Sequence, residues 1–174
     1  METRMKGGRH VDLHAQDPLT KGDSSKRRQI ALPFQPRKQT LISLGVVQLI
    51  PNHLDNVLST YKPRLAIDIR LSPSFSSTGL TRIVFNRLLQ ERNVEYRTWP
   101  ELANDFVGSF PDDVALEHYA RYLSNCPDVE KLYQLVLRDG PILLLGHDPD
   151  HWTSERRVLV DTLGPDFDLI VEKQ

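Results

Sequence analysis

Residues 143–157 read LLLGHDPDHWTSERR: an apolar run stops at Gly146, and acids, bases and two histidines follow at once. An apolar run of this length ending on glycine reads as a strand covered on both faces. The polar part reads as a loop leaving the sheet and entering a helix, with Thr153 or Ser154 as its cap and Glu155 in the first turn, where an acid suits the helix dipole. Those roles leave His147, Asp148 and His151 without a structural duty. The segment is therefore either one wall of a ligand crevice or a polar turn that starts a helix.

Working outward, LISLGVV (41–47) is a second apolar run. PNHLDNVLSTY (51–61) sets Leu54, Val57, Leu58 and Tyr61 on one helical face. RLAIDIRL (64–71) and VEYRTW (94–99) predict two more strands. The helix between them is expected over about 79–92, with Thr78 as its cap and Leu80, Ile83, Val84 and Leu88 on its face. Two helical stripes follow, Leu116, Tyr119, Ala120 and Leu123, then Val129, Leu132, Tyr133 and Val136, before the strand GPILLLG (140–146). A helix over about 154–163 and the strand DFDLIVE (166–172) close the chain.

Strands alternating with helices predict a three-layer, doubly wound α/β fold of Rossmann-like type, with a mostly parallel five-stranded sheet and helices on both faces. The expected strand order is 3-2-1-4-5. Sheets of this kind bind ligands beyond the carboxyl ends of the strands, where the strand order reverses. That order sets Gly45 and Gly146, at the ends of the first and fourth strands, side by side.

The 174 residues carry a formal charge of −1, which gives no global attraction to nucleic acid or membrane. The charge is uneven. Residues 1–38 hold nine Lys/Arg and four Asp/Glu (+5), and the remainder thirteen and nineteen (−6). A basic leader without apolar periodicity, expected to be disordered, thus precedes a single α/β domain over 39–174. Its SSKRR cluster (24–28) could touch nucleic acid, although such charge blocks are commonly only solvated. Cys126 is the single cysteine, so no internal disulfide forms. No apolar run spans a bilayer or reads as a secretory signal, and a cytoplasmic location is expected.

Asp68 and Arg70 share one face of the second strand. A covered strand carries an acid and a base only if they pair or stand at its open end, so they either hold an anionic ligand or close the strand as an ion pair. The loop set offers Asp148 and His147 for proton transfer, and Ser154 and Arg156 for an anion near the helix start. Glu101, just past the third strand, is aimed near the same rim or simply caps a turn. The expected site is therefore Asp148 and His147 as catalytic candidates, with Asp68, Arg70, Glu101, Ser154, Arg156, Gly45 and Gly146 lining a crevice for a polar or anionic small molecule. His147, Asp148 and His151 match no strong metal signature, and no cofactor is identified. SPSFSSTG (72–79) lacks the lysine and glycine spacing of a phosphate-binding loop.

LISLG, LAIDIRLSP, FNRLLQERNVEYRTWPEL, YARYL and ILLLGHDPDHWTSERRVLVDTL, in this order and spacing, resemble the family called domain of unknown function 488, from about Leu41 to Val171. Relative to that family, Val46 and Val47 replace a His-Ser pair, and Gly146, Ser154 and Glu155 replace Cys, Cys and His, while Asp148 and Arg156 match. The resemblance implies the α/β fold but no cysteine chemistry. The expected function is an enzyme or enzyme-like protein acting on a nucleotide, nucleobase or other polar metabolite. The alternatives are a degenerate binding or regulatory module, and a protein that uses its basic leader to reach nucleic acid.

Overall fold

The computed structural model describes residues 39–75 and 80–173. The basic leader and the Thr78 cap lie outside the described residues. Five strands, β1 (Thr40–Gly45), β2 (Leu65–Asp68), β3 (Glu95–Thr98), β4 (Ile142–Gly146) and β5 (Asp168–Val171), form one sheet in which every pair is parallel. The helices are α1 (Pro51–Tyr61), α2 (Arg82–Glu91), α3 (Asp112–Leu123), α4 (Pro127–Asp139) and α5 (Glu155–Leu163).

The order is β3-β2-β4-β1-β5, so β4 rather than β1 holds the centre, a correction to the expected 3-2-1-4-5. The reason lies in side-chain polarity. ILLLG is buried at every residue and carries no polar side chain, whereas β1 contains Thr40 and Ser43 and the outer β3 and β5 are partly exposed throughout. The least polar strand takes the position that leaves nothing to water. β1 and β4 remain neighbours, with Gly45 opposite Gly146.

From β1 the chain steps one way through α1, β2 and α2 to β3, and then returns through α3, α4, β4 and α5 to β5. Strand alternation separates the two faces. Ile42, Leu44, Ala66, Leu143 and Leu145 pack with Leu54, Val57 and Leu58 of α1 and Phe85, Leu88 and Leu89 of α2. Leu41, Leu65, Ile67, Ile142 and Leu144 pack with Tyr119 of α3, Leu132 and Val136 of α4 and Leu159 of α5. Because β1 leads to one helical layer and β4 to the other, their adjacent carboxyl ends form the switch point of the sheet.

α1 has the expected limits, with Pro51 in its first turn and Lys62 in a left-handed cap whose amide bonds to Leu58. α2 starts at Arg82, later than expected, with Thr81 as its cap accepting the Val84 amide (3.3 Å). Its buried face is accordingly Phe85, Leu88 and Leu89, and Ile83 stands in solvent. In α3 the stripe shifts to Ala115, Tyr119 and Leu123, which leaves Leu116 and Ala120 half-buried on the flank towards α5. Among the described residues no helix is long and apolar enough to cross a membrane.

Leu144 is fully buried in the central strand. Leu144→Ala is expected to lower the unfolding free energy by about 2–5 kcal/mol, read as a lower urea midpoint with an unchanged slope.

Candidate functional site

Beyond β4 the backbone ladder continues, Val46 donating to the Gly146 carbonyl (3.0 Å) and Val47 to that of His147 (3.1 Å). The loop then folds back over the end of β1. A Cβ on Gly45 would overlap the Asp148 carbonyl and lie 2.6 Å from the Pro149 Cα, so this closure requires glycine. A Cβ on Gly146 would meet the Arg156 Cδ and Glu155 Oε1, each at 2.6 Å. One strand end thus accepts a loop and the neighbouring one an arginine stem.

Arg156, in the first turn of α5, is fully buried. Its Nη1 donates to Ser43 Oγ (3.1 Å) and its Nη2 to the Asp148 carbonyl, while Nε has no partner. Ser43 Oγ lies 2.8 Å from His151 Nδ1. The hydroxyl has one hydrogen and two lone pairs, so while accepting from Arg156 it can either donate to Nδ1 or accept from it, according to the imidazole tautomer. Burial first, and Arg156 second, push the His151 pKa below its ordinary value. Burial also lowers the Arg156 pKa, against the pull of Glu155, Asp148 and Asp150; as an arginine it stays charged.

The nearby carboxylates are engaged elsewhere. Glu155 Oε1 accepts the His147 amide (2.9 Å), Asp148 Oδ1 faces His147 Nδ1 (3.1 Å), and Asp150 Oδ1 accepts the Trp152 amide (3.0 Å). Ser154 occupies the cap position of α5, but its hydroxyl donates back to the His151 carbonyl (2.9 Å) instead of accepting a helix amide. His147 and Asp148 stand at the surface with their side chains 68% and 48% exposed, open to a solute.

Asp68 and Arg70 sit elsewhere. Arg70 grips Asp68 through two bonds, Nε to Oδ1 (2.9 Å) and Nη2 to Oδ2 (2.7 Å), and its Nη1 donates to the Ser74 carbonyl (2.7 Å). Tyr96 adds a hydroxyl bond to Asp68 Oδ2 (2.8 Å), and the guanidinium lies 4.7 Å from the Phe75 ring centre. Burial, followed by the Asp68 carboxylate, drives the Tyr96 pKa upward, so the phenol remains a donor. This cluster packs with the α1 and α2 layer, whereas Ser43 and Arg156 face the α5 layer. The expected convergence of Asp68, Arg70, Asp148 and Arg156 is therefore replaced by two clusters on opposite faces. Glu101 is exposed on the 3-10 turn Pro100–Leu102 beyond β3, where its carbonyl accepts from Tyr122 (2.8 Å).

The structure adds residues the motifs did not single out. Ser43 is central to the buried cluster, and its only trace in the sequence is a lone polar side chain in an apolar run. On the other face Glu172 takes the Tyr61 hydroxyl (2.5 Å) and lies 3.8 Å from His53 Nε2. Among the described residues no group of three or more His, Cys, Asp and Glu side chains could hold a metal ion.

The family described as Domain of unknown function DUF488 matches residues 50–163, from the start of α1 to the end of α5. The chain belongs to that family. The match covers well over half the chain and includes the loop, Arg156 and β2, while β1 with Ser43 lies outside it. No curated protein and no solved structure matches. In this family member the side-chain space at Gly146, where the family resemblance implies a cysteine, is filled by Arg156 and Glu155.

Two outcomes follow from the clusters. Asp68→Asn is expected to cost about 3–5 kcal/mol in equilibrium unfolding, because it strands a buried guanidinium. For His151 the folded pKa is depressed, so between it and the unfolded value near ~6.5 the unfolded chain binds more protons. Its contribution is complete above that unfolded value and is lost as pH falls through the folded one. Urea midpoints measured from pH 8 to 5 should decline at the acid end, with a shallower decline in His151→Asn.

Proposed function

We propose that the protein binds a polar small molecule through an anionic group, at the carboxyl ends of β1 and β4, with Arg156 as the receiving cation. The observation that carries this reading is the neutrality of Arg156's partners: a buried guanidinium bonded only to a hydroxyl and a carbonyl, with Nε unused. Removing such an ion from water costs several kcal/mol, while each hydrogen bond to a charged group returns about 1.5–3 kcal/mol. Two bonds to neutral acceptors leave room for a gain when an anion replaces one of them. Arg70, already held by a carboxylate, has no such deficit.

In this reading the ligand displaces the Asp148 carbonyl from Arg156, and the loop opens to admit it. His147, oriented by Asp148, stands at the mouth and can exchange a proton with the bound molecule. A nucleotide or sugar phosphate supplies both the anion and the polar body. A second reading, a binding module without turnover, is favoured by the filled space at Gly146, which leaves no room for a nucleophile at that position.

Calorimetry with nucleoside monophosphates, sugar phosphates and dicarboxylates tests both readings. Wild type should bind one class below millimolar concentration, and Arg156→Lys, which loses the planar fork, should weaken it roughly tenfold while circular dichroism is unchanged. Absence of binding to the folded wild type at millimolar concentration would falsify the proposal. Prolonged incubation that returns the ligand unaltered assigns the protein to the second reading.

A further inference from the structure

α3 and α5 lie side by side with a groove of about 440 Å3 between them. Its apolar part comes from Leu116 and Ala120 of α3 and Val158 of α5, all half-buried. At one end stands Trp152, 57% exposed. An indole left this open is a large apolar surface awaiting cover, and tryptophan is among the residues that contribute most when an interface closes over them.

The rim of the groove is mostly acidic. Asp113 and Glu117 line it from α3 and Asp161 from α5, against the single cation Arg157. Arg157 is already committed, with Nε 3.4 Å from Asp161 Oδ2 and Nη1 donating to the Trp152 carbonyl (3.1 Å). Glu117 has only a long contact to Arg121 (3.8 Å) between two largely exposed side chains, which contributes little. Among the described residues no hydrogen bond or ion pair engages the Asp113 carboxylate.

We propose that this groove docks a short basic amphipathic segment of a partner protein. An aliphatic side chain of the segment covers Leu116, Ala120 and Val158, and an arginine lies on the face of Trp152 within reach of Asp113 and Glu117. A guanidinium suits both halves of the surface, because it stacks on an indole and pairs with carboxylates. The acidic rim repels nucleic acid phosphates and acidic peptides. The inference does not depend on an anionic ligand at Arg156, since none of the groove's rim acids touches that side chain.

The test uses the full chain and two synthetic peptides of equal length, one built of leucine and arginine and one of leucine and glutamate. Calorimetry should show the basic peptide binding and the acidic one not. Trp152→Ala and the double variant Asp113→Asn with Glu117→Gln, each checked for unchanged circular dichroism, should each weaken the basic peptide roughly tenfold. In a Trp99→Phe background, where Trp152 is the only indole, its emission should shift to shorter wavelength on binding. Equal affinity in wild type and both groove variants would place binding elsewhere on the acidic domain and overturn the proposal. So would binding of the acidic peptide as tight as that of the basic one, or no binding of the basic peptide to the wild type.

Discussion

The parallel pairing of β1 with β4 governs the rest of the structure. Both strands end on glycine, and the two glycines face each other in register. Strand alternation turns their absent side chains to the same side as Ser43, towards α5. The backbone of Asp148 and Pro149 closes on Gly45, and the stem of Arg156 crosses Gly146. A methyl group at either position would stand about as near its neighbour as a covalent second neighbour, so one of the two contacts would have to open. The site is a volume made by two missing side chains and filled by a loop and a cation.

That origin explains why the two buried arginines differ. Asp68 and Arg70 are two residues apart on one chain segment, so they share a face and neutralise each other locally. Arg156 enters from a helix and lies over strands that offer no acid: β4 supplies only leucine, isoleucine and glycine, and β1 supplies Ser43. The carboxylates closest in sequence serve the loop's own backbone and His147. One guanidinium therefore completes a structural ion pair, and the other gives its hydrogen bonds only to neutral groups, with Glu155, Asp148 and Asp150 acting on its charge without bonding to it. The difference comes from topology, since both are buried arginines at the same edge of the sheet.

Much of this architecture was legible in the sequence, because hydrophobic period is a local property. The limits of α1, the apolar run of β4 and the extent of α5 follow from a few adjacent residues. Strand order is not local. It turned on which of two apolar runs is free of polar side chains, a comparison across about a hundred residues. The faces were lost for a related reason. Asp68 is in register with Leu145, one residue before Gly146, and one residue decides the face in a pleated sheet. Spacing could show that Asp68 and Arg70 point together, but not that Arg156 arrives on the opposite side. Ser43 carried a weak signal, the one hydroxyl inside the apolar run 41–47. His151 stood out as a histidine without a structural duty, but its burial was not legible, because it depends on the loop closing over a glycine in another strand.

The loop's path ties the two surfaces together. His151 and Trp152 are consecutive, and their rings are nearly perpendicular, 5.2 Å apart between centres. The first turns inward to Ser43 and helps to cover Arg156, and the second turns outward to the groove beside α3. Burying the imidazole and exposing the indole are thus consequences of one backbone trace. The Asp148 carbonyl lies on Arg156 and the His151 ring on Ser43, so the same loop supplies both contacts that close the end of β1. The Asp150 carboxylate, by holding the Trp152 amide, braces the same loop.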